Sequence, residues 1–312
     1  MPKYFDIHSH VQFNAFEQDK EEVIQRALEN DTWMINVGTQ LDTSRKAVEL
    51  AEKYSEGVYA IIGLHPIHTT ASYHDVKELG EGGKEFTSKG ENFNYEEYKK
   101  LASHKKVVGI GECGLDYYRN EPESIEKQKE IFIQQIKLAN EVNKPLMLHI
   151  RNGKHGGANS QRSDLKNSKR SDLGEFQRMT REGEVVNNAY LDAINILKKY
   201  AKVKGNIHFF AGSWEDAKNF LDFNFSLSFT GVITFTNDYD EIIKKIPLDM
   251  IMAETDCPYI TPVPYRGKRN EPLYVSEVVK KIAEIKNLPE KEVAEQIIKN
   301  TQRVFLNQAN QG

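Results

Sequence analysis

Several things are scarce in this 312-residue chain, and each scarcity narrows what it can be. Its two cysteines, Cys113 and Cys257, fit no zinc-ribbon spacing and cannot staple a small secreted scaffold. No apolar run approaches the length that crosses a bilayer, and no basic stretch followed by an apolar core opens the chain, so a cytoplasmic protein without membrane contact is expected. Positive charge is not in excess: 42 Lys and Arg stand against 46 Asp and Glu, a formal net charge of −4. An all-over basic coat for nucleic acid is thereby excluded, and any grip on a phosphate chain must come from a local patch or from bound cations. No Gly-rich dinucleotide loop follows the first apolar run, which removes the main support for a doubly wound open sheet.

What is present is a rhythm. Short runs rich in β-branched and aromatic residues recur at 4–8, 33–37, 58–63, 107–111, 145–149, 206–210, 225–229 and 250–254. Most are continuous rather than alternating, as in strands buried on both faces of a parallel sheet. Helical patterns lie between them: Ala47, Leu50, Ala51 and Tyr54 behind Asp42-Thr43-Ser44, then Phe132, Ile136, Ala139 and Val142. Eight strand-and-helix units without a composition break predict one α/β domain over 1–312, a TIM (β/α)8 barrel with its reactive groups at the C-terminal ends of the strands. Two polar stretches near 70–93 and 153–188 read as insertions into strand-to-helix loops.

The ends of those runs carry the chemistry. The first ends in His8 and continues to His10, and two imidazoles one residue apart on an extended chain point the same way. The fourth continues into Glu112, the fifth ends in His149, the sixth contains His208, and the eighth is followed by Asp256. One histidine inside a barrel is commonly a satisfied core residue. Four imidazoles and two carboxylates at equivalent strand ends instead form a metal site with room for two divalent ions, Glu112 being the natural bridge. Asp6, Asp116 and Glu254 are expected to orient imidazoles rather than ligate. Cys113 and Cys257 read as small buried packing residues, and His68, His74, His104 and His155 as surface histidines.

The motifs Phe5-Asp6-Ile7-His8-Ser9-His10, Gly63-Leu64-His65-Pro66, Gly111-Glu112-Cys113-Gly114-Leu115-Asp116-Tyr117-Tyr118-Arg119, Leu148-His149, His208-Phe209-Phe210-Ala211-Gly212-Ser213, Glu254-Thr255-Asp256-Cys257-Pro258-Tyr259 and 266–272 occur in that order. Together they resemble the TatD family of metal-dependent deoxyribonucleases over nearly the whole chain. The resemblance implies a TIM-barrel hydrolase in which His8, His10, Glu112 and Asp256 hold one metal while Glu112, His149 and His208 hold a second. This sequence departs from the family pattern at Phe209-Phe210-Ala211 and at Ile150-Arg151-Asn152, which leaves the ligands in place.

Two cations suit hydrolysis of a phosphodiester, where attacking and leaving oxygens both gather charge. Asp256 is the candidate base, with Glu112 beside it in the catalytic set, and His65, Arg119 and Arg266 are candidate phosphate contacts. Zinc, magnesium or manganese would satisfy a mixed nitrogen and oxygen set. The expected substrate is nucleic acid, DNA by the resemblance, cleaved from an end, with no obligate protein partner. Other chemistries stay open: another ester or amide such as aminoacyl-tRNA, or nucleic-acid binding without turnover.

Overall fold

Runs this rich in apolar residues are suited to strands covered on both faces, and all eight become strands of a single parallel sheet. The computed structural model describes residues 2–74, 86–88, 90–118, 122–153, 178–179, 185–186 and 188–306. The strands are β1 (Tyr4–Ser9), β2 (Thr32–Val37), β3 (Val58–Ile62), β4 (Val107–Asp116), β5 (Leu146–Arg151), β6 (Gly205–His208), β7 (Ser226–Phe229) and β8 (Ile251–Ala253). They pair in chain order. A parallel bridge from Ser9 to Cys257 brings the last strand back to the first, where the Asp256 N–H donates to the His8 carbonyl at 2.9 Å and the His10 N–H to the Cys257 carbonyl at 3.0 Å. The result is a TIM barrel.

Amphipathic helices cover the outside: α1 (Lys20–Glu29), α2 (Leu41–Glu52), α3 (Tyr95–Ala102), α4 (Pro122–Glu141), α5 (Ala189–Tyr200), α6 (Trp214–Asp222), α7 (Asp240–Lys245), α8 (Val275–Lys286) and α9 (Glu290–Thr301). In α8, Val275, Val278, Val279 and Ile282 recur at helical spacing and are buried. Helix starts are set by side-chain oxygens: Asn94 caps α3, Asn188 caps α5, and Ser213 with Asp216 forms a capping box on α6. The alternation of each strand divides the core in two. Leu146, Leu148, Ile207, Leu227, Ile251 and Ala253 pack outward against the helices, whereas Phe5, Ile35, Ile61, Met147 and Met252 pack with Ile298 and Phe305.

The register slips at three places, one of them between Ala60 and Ile61 in the β3/β4 pair, and the other two bear on the site. The β1/β2 register shifts between Asp6 and Ser9, and the β4/β5 register shifts between Ile110 and Cys113. Such irregularities re-aim side chains at barrel rims, and these two lie at His8 and Glu112. Both predicted insertions fall largely outside the described residues. Of them, two short antiparallel pairs are described: Ser72–His74 with Phe86–Ser88, and Arg178–Met179 with Val185–Val186.

Candidate metal centre

Among the imidazoles at the mouth of the barrel, His10 and His149 are held by hydrogen bonds from their outward nitrogens. His10 Nδ1 donates to the Val37 carbonyl at 2.7 Å, which leaves the lone pair on Nε2. His149 presents Nε2 to Asp116 Oδ2 at 2.9 Å and Nδ1 to Glu112 Oε1 at 3.1 Å. His208 presents Nδ1 to Glu254 Oε1 at 3.0 Å and Nε2 to Glu112 Oε1 at 3.6 Å. The His8 ring stacks on His208 with centroids 3.5 Å apart, and its Nε2 lies 3.4 Å from Glu112 Oε2. Asp256 Oδ1 closes the group, 3.4 Å from His10 Nε2 and 3.9 Å from His8 Nε2.

Glu112 reaches this point because glycine stands just before it and two residues after it. Gly111 and Gly114 have φ of +150° and +139°, and a Cβ at Gly114 would stand 2.1 Å from the His149 carbonyl oxygen. Only glycine allows β4 to lie so close to β5.

Burial alone would raise the Glu112 carboxyl, but His65 and His8 hold it well below the ordinary carboxylate range. Asp256 is likewise kept ionised, burial being outweighed by its hydrogen bond to His10 and the charge of His208. Burial and the neighbouring His208 push His8 down to about 4, so its ring is neutral. The Nε2 atoms of His8 and His10 are 3.2 Å apart. Ligand atoms bound at about 2.1 Å to one tetrahedral ion stand about 3.4 Å apart. Nitrogen and carboxylate ligand atoms cluster within 4.8 Å of one another in overlapping groups, among them His8 with His10 and Asp256, and His8 with Glu112 and His208. This donor set fits divalent cations.

The family model for TatD related DNase matches residues 5–306. The chain belongs to that family. Its relatives include an uncharacterized metal-dependent hydrolase of Bacillus subtilis, YabD, 36% identical over 96% of this chain and 98% of the relative. Another is the uncharacterized metal-dependent hydrolase MG009 of Mycoplasma genitalium, 31% identical over 97% of this chain and 99% of the relative. Among solved structures, the TatD homologue YJJV of Escherichia coli superposes with a TM-score of 0.71 at 23% identity, covering 97% of this chain and 98% of that one. A TatD family hydrolase of Entamoeba histolytica gives 0.70 at 21% identity, covering 97% and 98%. The two structures share the fold. This TatD family protein is therefore a metal-dependent hydrolase by family, with a His, Glu and Asp cluster at the barrel mouth suited to the metal.

His8, His10, Glu112, His149, His208 and Asp256 all meet in that cluster. His65 meets it too, its Nε2 3.2 Å from Glu112 Oε1. Although His65 groups geometrically with Glu112 and His149, its Nδ1 accepts the Ile67 N–H at 3.2 Å, and burial lowers its basicity. The single proton of the neutral ring then sits on Nε2 and donates to Glu112, so His65 enters as a donor rather than a ligand. Arg266 is engaged elsewhere: its guanidinium donates to the Thr261 carbonyl at 2.7 Å and covers the exposed Phe235 ring at 4.2 Å. Arg119 lies outside the described residues.

Asp116 and Glu254 contact His149 and His208 as their spacing suggested. Asp6 does not act this way. The irregularity in β1 separates it from the imidazoles, and its carboxylate instead accepts the Thr255 N–H at 2.9 Å, the Thr255 hydroxyl and the His8 N–H at 3.2 Å. His68 is buried beside His65 rather than exposed, while His104 is a surface partner of Glu52 at 2.6 Å. His74 and His155 lie where no side chain is described. Sequence reasoning passed over Asn270, wholly buried, whose amide donates to the Thr255 carbonyl at 2.9 Å and the Tyr259 carbonyl at 2.6 Å, fixing the loop that carries Asp256.

Two outcomes follow from the outward contacts. Asp116→Asn replaces the acceptor that orients His149, and partners of this kind are worth roughly 10–100-fold in metal affinity. Titration calorimetry should show that weakening, and native affinity would remove the orienting role. The second concerns protons. Burial would lower both rings, yet the Asp116 and Glu112 carboxylates raise His149 to about 9 and Glu254 raises His208 to about 10. Below those values each ring carries a proton that a cation must displace. Uptake by metal-free protein at neutral pH should release protons, and affinity should rise as pH increases toward 9. Calorimetry in buffers of different ionisation enthalpy measures this, and uptake without proton release would refute it.

Proposed function

We propose that the protein is a divalent-metal-dependent deoxyribonuclease that hydrolyses phosphodiester bonds of DNA from a strand end. In this reading His8, His10, Glu112 and Asp256 would hold one cation, and Glu112, His149 and His208 would hold the second. The observation that carries it is the orientation of the rings. His10 and His149 spend their outward nitrogens on Val37 and Asp116, and His208 turns its Nδ1 toward Glu254, so that the other ring nitrogens face the carboxylates of Glu112 and Asp256. Membership of the TatD related DNase family supports DNA as the substrate class.

Bound divalent cations supply Lewis acidity, lowering the pKa of water toward neutrality and offsetting charge on the oxygens of an in-line displacement. Water adds its oxygen to phosphorus as the P–O bond to the leaving nucleotide breaks. Asp256, held ionised, accepts the proton that the water loses, and that proton serves the leaving oxygen. Glu112, ionised among its imidazoles, fixes the spacing of the two halves of the site. The guanidinium of Arg266 is the donor assigned to a phosphate oxygen, while His65 spends its Nε2–H on Glu112.

End-labelled single-stranded and duplex DNA oligonucleotides, incubated with zinc, magnesium or manganese, test the reading. The expected result is release of mononucleotides from one end, abolished by a chelator. Intact oligonucleotides under all three metals, alongside hydrolysis of an aminoacyl-tRNA ester, would transfer the site to that other substrate.

A further inference from the structure

Barrel interiors are filled mainly by branched apolar side chains. Here the inward positions of β6 and β7 hold Asn206, Ser226 and Ser228, all essentially without solvent exposure. Buried polar groups are costly unless every donor and acceptor is matched, and these are matched in one direction. The Ser226 hydroxyl donates to Asn206 Oδ1 at 3.0 Å, with the Gly205 carbonyl its other acceptor at 3.2 Å. The Asn206 amide then presents Nδ2 to Ser228 Oγ at 2.7 Å. With that lone pair occupied, the Ser228 hydroxyl turns its proton to Glu254 Oε2 at 2.7 Å, with the Ile207 carbonyl its alternative at 3.2 Å. Glu254 Oε1 receives the Phe209 N–H at 2.6 Å and faces His208 Nδ1 at 3.0 Å.

We infer that Ser228 is a positioning residue for the metal centre, acting through Glu254 to hold His208 with its proton on Nδ1 and Nε2 turned to the ligand cluster. Among the described contacts, the Ser228 hydroxyl is the one side-chain donor on Glu254 Oε2. Without it that carboxylate oxygen is buried and unmatched, the carboxylate turns to find another donor, and His208 loses the partner that sets its ring. The inference rests on the cation reading of the cluster and is independent of the substrate.

Calorimetric titration of zinc into metal-free native protein, S228A and S228T, with long-range nitrogen-15 spectra of the histidine rings, tests it. S228A should bind zinc roughly 10–100-fold more weakly while melting close to the native protein, and S228T, which keeps the hydroxyl, should return to within about threefold of native. In the zinc-loaded native protein His208 should carry its proton on Nδ1, and the Nδ1 signal should shift in S228A. Native zinc affinity in S228A with unchanged ring signals overturns the inference. Should S228A not fold, the native spectrum decides, because a His208 protonated on Nε2 overturns it equally. Native protein that binds no zinc rejects the cation reading itself, a result distinct from equal binding by native and variant.

Discussion

Glu112→Gln should lower kcat/KM for phosphodiester hydrolysis on the order of 10³-fold while the barrel remains folded. The substitution keeps shape and removes charge. Glu112 Oε1 lies 3.2 Å from His65 and 3.1 Å from His149, and Oε2 lies 3.4 Å from His8, so one carboxylate serves rings from β1, β5 and the loop after β3. A neutral amide would place an NH2 group against nitrogens that need a negative partner, weakening both halves of the site together. Steady-state kinetics with metal analysis of the purified variant measures this, and circular dichroism confirms the fold. Turnover within about tenfold of native would mean that Glu112 is not the shared ligand.

Asp6→Ala should have the largest effect on stability, about 3–5 kcal/mol. Asp6 is fully buried and carries the seam between first and last strands, where it accepts the Thr255 N–H, the Thr255 hydroxyl and the His8 N–H. Alanine leaves those donors buried without an acceptor, next to the Asp256 N–H to His8 carbonyl bond that closes the barrel. Asp6→Asn keeps one acceptor oxygen and should cost less. Equilibrium urea unfolding gives the numbers, and a loss below about 1 kcal/mol would show that the seam is held by something else.

The barrel and its strand-end cluster were legible because parallel strands all end on one face, so residues at equivalent ends of separate runs must meet. That reasoning placed His149, His208 and Asp256 with His8 and His10 without knowledge of any contact. It failed wherever the strict two-residue alternation failed. Asp6 read as sharing a face with His8, but the register slips between Asp6 and Ser9, and its partner Thr255 is 249 residues away. The donor role of His65 depends on the Ile67 N–H meeting its Nδ1, a local backbone geometry that composition does not reveal. Asn206, Ser226 and Ser228 did carry a visible signal, as polar residues at alternate positions of otherwise apolar runs.

The most direct test of the whole account is a crystal structure of manganese-loaded protein, with anomalous scattering collected under conditions that support turnover. Two peaks should appear, one among His8, His10, Glu112 and Asp256 and one among Glu112, His149 and His208. Active crystals without anomalous density among these residues, or with it elsewhere on the barrel, would contradict the account.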